Sequence, residues 1–90
     1  MSVFRVKFSK KALKQLAKLD KFNAHLLITW IRKNLEGATD PYAIGKSLVG
    51  SRSGEWRYRV GDYRIICFIE NQTVTIHVLE VGHRRENYDR

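Results

Sequence analysis

Three arginines, Arg57, Arg59 and Arg64, fall within "EWRYRVGDYRI" (55–65), and His83, Arg84, Arg85 and Tyr88 follow in the C-terminal "GHRRENYDR" (82–90). A guanidinium fork matches phosphate oxygens two at a time. An imidazole titrates near neutrality, and an aromatic ring stacks on a base. Together these are the parts needed to grip a single strand of RNA. The competing reading is a solvated, salt-bridged face, with Glu55 and Asp62 neutralising the arginines and a basic tail that is only a solvated end.

The elements that must position these residues follow from local pattern. Gly61-Asp62 suits a two-residue hairpin loop with Gly in the first central position. In that register Val60 faces Tyr63, Arg59 faces Arg64, Tyr58 faces Ile65 and Arg57 faces Ile66, so all three arginines share one face. The other face holds Trp56, Tyr58, Val60, Tyr63, Ile65 and Cys67, apolar enough to lie against helices. Like charges directly opposite on neighbouring strands cost about 0.2–1 kcal/mol. A purely structural role would not select that cluster.

Upstream, "VFRVKF" (3–8) alternates with period two and reads as a strand. Ser9 then caps a helix, "KKALKQLAKL" (10–19), and Asp20 caps a second over about 21–36, ended by Gly37. Residues 37–53 are the least regular, with Asp40-Pro41 opening a turn, Ile44, Leu48 and Val49 tucking under the sheet, and "GSRSGE" (50–55) an exposed loop. Further strands are expected at 55–60, 63–69 and 73–81. The order is βααβββ: a single α+β domain over 1–90, with a mainly antiparallel four-stranded sheet and an N-terminal helical hairpin packed on one face.

Composition narrows the function classes. The chain has 90 residues with 17 Lys+Arg against 9 Asp+Glu, a net charge of +8. On one small domain that surplus favours a polyanionic partner, nucleic acid or an acidic protein ahead of a membrane. No apolar run approaches a membrane span, and "MSVFRVKFSKK" lacks the apolar core of a signal peptide, so the cytoplasm is expected. The one cysteine, Cys67, permits no internal disulfide and reads as a packed thiol. His25, His77 and His83 with that cysteine show no zinc-ligand spacing, and no carboxylate cluster suggests paired magnesium ions, so no cofactor is expected. His25 and His77 read as structural.

Two helix surfaces carry further candidates. Lys10, Lys11, Lys14 and Lys18 form a basic stripe that either contacts RNA by charge or is an ordinary solvated face. On the second helix Ala24, Leu27, Ile28, Ile31 and Leu35 line one side, while Phe22, Leu26 and Trp30 lie nearly opposite. Either the sheet and the first helix cover one side each, or Phe22, Leu26 and Trp30 partly await a partner protein.

The βααβββ order, "LVGSRSGEWRYRVGDYRIICFI" and "VLEVGHRRENY" resemble the RelE/ParE superfamily of bacterial toxin–antitoxin toxins, and more its RelE ribonuclease branch. The likeness spans nearly the whole chain. It implies a metal-independent endoribonuclease that enters the ribosomal A site and cuts translated mRNA. It further implies that Arg57, Arg59, Arg64 and Arg84 surround the scissile phosphate with Tyr88, and that Arg85 adds to RNA binding. Some relatives have lysine where Arg57 and Arg59 stand, and arginine stays protonated, which argues against proton exchange there. Tyr88 is the first candidate for proton transfer and His83 the second.

The resemblance also implies a cognate antitoxin, joined in a hetero-oligomeric complex, with Phe22, Leu26 and Trp30 as candidate sites for its apolar anchors. Two rivals stand beside the ribonuclease: a ParE-like inhibitor of DNA gyrase that cuts nothing, and a basic RNA-binding module without catalysis.

Overall fold

The computed structural model describes residues 3–83. Its elements run β1 (Arg5–Phe8), α1 (Lys10–Lys18), α2 (Lys21–Asn34), β2 (Lys46–Ser47), β3 (Trp56–Val60), β4 (Tyr63–Glu70) and β5 (Thr75–His83), with a 3-10 turn at Gly50–Arg52. The strands form one sheet in the order β1-β5-β4-β3-β2. Five strands replace the expected four, because Lys46 and Ser47 pair with Arg57 and Trp56 along the edge of β3. Two residues are too short to show a period. The sheet is mixed, since β1 runs parallel to β5 while every other pair is antiparallel.

Both helices start where the sequence places them. The Ser9 hydroxyl accepts from the Ala12 N–H at 2.9 Å, and the Asp20 carboxylate accepts from the Asn23 N–H at 3.1 Å. Ser9 has a second role. Its hydroxyl donates to the Leu79 carbonyl at 2.8 Å, and Leu79 is the extra residue of a bulge where β4 steps from Glu80 at Ile66 to Val78 at Cys67. One side chain thus starts α1 and satisfies a carbonyl that the bulge removes from the ladder. Beyond the end of β1, the Gln15 side chain of α1 accepts from the Val81 N–H at 2.8 Å, closing the same edge.

The core lies between the helical hairpin and one face of the sheet. Leu27 and Ile31 of α2 and its C-cap Leu35 share one buried cluster with Tyr58, Ile65 and Cys67. Burial pushes the Cys67 thiol up, so it stays protonated. It does the same to the Tyr58 phenol, which donates to the Pro41 carbonyl at 2.6 Å and ties the 38–45 loop to β3. Trp56 Nε1 adds a bond to the Ile44 carbonyl at 2.7 Å. The loop is held by these side-chain bonds to its carbonyls; of the residues expected to tuck under the sheet, Leu48 is half-buried, whereas Ile44 and Val49 are 43% and 80% exposed.

The face away from the helices, called here the open face, is closed at its centre. Ile66 points that way and is nevertheless buried. Arg52 leaves the 3-10 turn and donates to Glu55 at 2.7 Å and to Glu80 of β5, two strands beyond β3. The "GSRSGE" segment is therefore pinned by an ion pair. Burial alone would raise the Glu80 carboxyl; the Arg52 hydrogen bond and charge, with Lys11 at 3.5 Å, outweigh it and hold it below the usual carboxylate range.

Two outcomes test these anchors. Ser9→Ala is expected to cost about 1–2 kcal/mol in urea unfolding, through cap and bulge together. Arg52→Ala is expected to cost about 1–2 kcal/mol at pH 7 by leaving Glu80 short of a partner. A lowered folded-state pKa stabilises above the ordinary glutamate value and is lost as pH falls through the lowered one. Wild type and Arg52→Ala should therefore converge in acid unfolding series below about pH 4.

Candidate functional site

The hairpin register is the one Gly61-Asp62 dictates. Gly61 has φ +59, and the ladder pairs Val60 with Tyr63, Arg59 with Arg64, Tyr58 with Ile65 and Arg57 with Ile66. Val60 and Tyr63 close the loop as the hydrogen-bonded pair, so Arg59 and Arg64 form a non-hydrogen-bonded one. Such pairs bring their Cα atoms to about 4.5 Å and their side chains closest together.

Two rows of side chains run across the open face. Arg59, Arg64 and Gly82 form the first, and Lys46, Arg57, Ile66 and Glu80 the second. Neither Glu55 nor Asp62 neutralises the arginines: Glu55 is taken by Arg52, and among the described residues Arg57, Arg59 and Arg64 make no ion pair. Arg64 Nε is buried with no hydrogen-bond partner among the described residues. Burial, then the charges of Arg64 and Arg59, hold the Arg57 guanidinium below its ordinary value. Three mutually repelling cations with no counter-charge paired to them among the described residues make a site that an external anion would stabilise.

Lys46 is the functional candidate that the sequence reading missed. It enters the second row only through β2, whose approach to β3 depends on Gly45. That residue has φ +85, and a Cβ there would meet the Arg57 carbonyl at 2.5 Å. Lys46, Arg57 and Arg59 also bound a cleft of about 490 Å³ with Trp30 and Asn34 of α2.

The other candidates fall elsewhere. His83 pairs with Tyr63, ring centroids 5.6 Å apart and edge-on, which places it in register with the helix-side residues of β4 rather than in the arginine rows. Arg84, Arg85 and Tyr88 lie outside the described residues. Lys10, Lys14 and Lys18 are exposed on α1, and Lys11 turns toward Glu80. Phe22, Leu26 and Trp30 separate: Phe22 and Leu26 are 75% and 40% exposed, whereas Trp30 packs on Tyr58 at 5.6 Å between centroids. His25 lies near Thr29 on α2, and His77 pairs with Glu70. Among the described residues no group of three or more His, Cys, Asp or Glu is placed to hold a metal ion, and no helix is long and apolar enough to cross a membrane.

Comparison with known proteins fits this geometry. Residues 6–88 match the family described as the ParE toxin of the type II toxin–antitoxin system, parDE. A search of curated proteins finds no match. Among solved structures, the toxin–antitoxin complex RelBE2 of Mycobacterium tuberculosis is similar at 27% identity and TM-score 0.84, over 93% of this chain and 94% of that one. An Escherichia coli RelE variant in the free state shares the fold at 19% identity and TM-score 0.74, over 96% and 88%. The archaeal RelE–RelB complex of Pyrococcus horikoshii does so at 24% identity and TM-score 0.65, over 92% and 97%. Fold and family match together identify the chain as a toxin of the RelE/ParE superfamily of type II toxin–antitoxin systems.

Proposed function

We propose that this toxin is a metal-independent endoribonuclease that cuts mRNA in the ribosomal A site. The observation that carries the reading is the row of Arg59 and Arg64 with Arg57 and Lys46 beside it, the three arginines making no ion pair among the described residues. A gyrase inhibitor that only binds a protein has no need of a cation cluster kept at a cost in stability.

In the proposed reaction the ribose 2′-oxygen attacks the adjacent phosphorus. The O2′–P bond forms and the P–O5′ bond breaks, leaving a 2′,3′-cyclic phosphate and a 5′-hydroxyl. The 2′ proton passes to a base and a proton is delivered to the departing 5′-oxygen. Arg57, Arg59, Arg64 and Arg84 bind the phosphate and stabilise the charge that grows on its oxygens, the kind of electrostatic contribution that usually dominates. Proton transfer is assigned to Tyr88 first and to His83 second; Arg85 and the α1 lysines hold RNA by charge.

The cognate antitoxin is the expected protein partner, in keeping with the M. tuberculosis and P. horikoshii relatives, which are toxin–antitoxin complexes. Phe22 and Leu26, exposed on α2, are offered as its apolar anchors, with Trp30 at their edge. The ParE description of the matching family keeps gyrase inhibition as the second reading.

Incubating the toxin with programmed ribosomes separates the two. Wild type is expected to release RNA ending in a cyclic phosphate, and Arg64→Ala to cut about 100- to 1,000-fold more slowly, as for loss of one transition-state donor. Intact mRNA together with inhibited supercoiling by purified gyrase would replace the nuclease with the second reading.

A further inference from the structure

The open face carries a second cluster, further along β4 than the arginine rows. Phe68 of β4 stands directly opposite His77 of β5, and His77 directly opposite Lys7 of β1. Their chain neighbours Ile69, Ile76, Val78, Val6 and Phe8 all pack on the helix side, so Phe68, His77 and Lys7 share the face that bears Arg64. The two rings are 6.1 Å apart and only 34° from parallel. Phe68 is 44% exposed. His77 Nε2 donates to the Glu70 carboxylate at 2.8 Å, which fixes the imidazole's rotation. Glu70 is thereby engaged, and Lys7 and Arg5, both exposed, outnumber it.

A cross-strand aromatic pair also supports a sheet, but that role does not call for ring surface in solvent or for cations beside it. Two neighbouring rings on an open sheet, tilted 34° to each other and flanked by lysine and arginine, match what single-stranded RNA requires: ring surface for a base and charge for its phosphates. From Arg64 to Phe68 is four residues along one strand, about 13 Å. The Arg52–Glu80 pair lies between, so the two clusters are separate contacts on one face.

We infer that Phe68 and His77 form a stacking platform for a base of single-stranded RNA, with Lys7 and Arg5 on the flanking phosphates. The inference rests on the reading of the open face as an RNA site.

The test is fluorescence-anisotropy binding of a 2′-O-methyl RNA dodecamer, which lacks the attacking hydroxyl, to wild type, Phe68→Ala, Phe68→Leu, Lys7→Gln and Arg59→Ala. Melting temperatures serve as the fold check. Phe68→Ala is expected to weaken binding about 5- to 20-fold. Phe68→Leu, which keeps apolar bulk without a π face, should weaken it nearly as much. Lys7→Gln should lower the salt slope by about one. If Arg59→Ala weakens binding while both Phe68 variants bind as wild type does, the platform falls and the arginine site stands. Full rescue by Phe68→Leu would reduce the ring to packing and also overturn stacking. If folded wild type binds no RNA, the platform falls, and cleavage on programmed ribosomes decides the nuclease reading separately. A Phe68→Ala variant that keeps RNA affinity but loses self-association would assign the face to a second copy of the chain.

Discussion

The register of the β3–β4 hairpin is the constraint from which the rest follows. Gly61 at φ +59 allows a two-residue turn, and that turn sets Arg59 against Arg64. The same register sends Tyr58, Val60, Ile65 and Cys67 into the core. A slip by one residue would exchange the two faces, exposing the apolar set and burying the guanidiniums. The magnitudes decide the outcome. Opposed cations cost about 0.2–1 kcal/mol, while each large apolar side chain fully buried contributes about 1.5–3 kcal/mol. The core therefore holds the repelling pair in place.

That pair is isolated by its surroundings. Glu55 and Glu80, the acidic groups nearest the open face's centre, are both drawn to Arg52. The ion pair stands beside buried Ile66, the cross-strand partner of Glu80, and holds both carboxylates on Arg52. Gly82 opposite Arg64 adds no side chain to the row. Stability at the centre of the face and, among the described residues, unpaired arginines at its end thus arise from one arrangement of acidic residues. In a toxin of this superfamily, such a charge is suited to a phosphate backbone.

How much was legible in the sequence divides along physical lines. Turn length fixes register, so the pairing of Arg57, Arg59 and Arg64 could be read from Gly61-Asp62. Side chains that cap their own helix act over three residues, so Ser9 and Asp20 were legible too. Contacts between distant segments were not. Alternation in residues 3–8 marks a strand but carries no direction, and the parallel pairing of β1 with β5 is set by where the helical hairpin returns the chain. β2 depends on Gly45 fitting against the Arg57 carbonyl, and Lys46 joins the cation rows only as a result. Arg52 and Glu80 are 28 residues apart. The spacing of Phe22, Leu26 and Trp30 indicates one helix face, but Tyr58 draws Trp30 inward and leaves Phe22 and Leu26 outside.

A double-mutant cycle on Arg59 and Arg64 tests the central claim most directly, with urea unfolding and mRNA cleavage measured on wild type, Arg59→Thr, Arg64→Thr and the double variant. If the pair is a repulsive contact kept for an anion, the coupling energy is destabilising by about 0.2–1 kcal/mol, and cleavage falls in both single variants although they remain folded. A stabilising coupling, or full cleavage by either single variant, would contradict the account and return the arginines to a structural role.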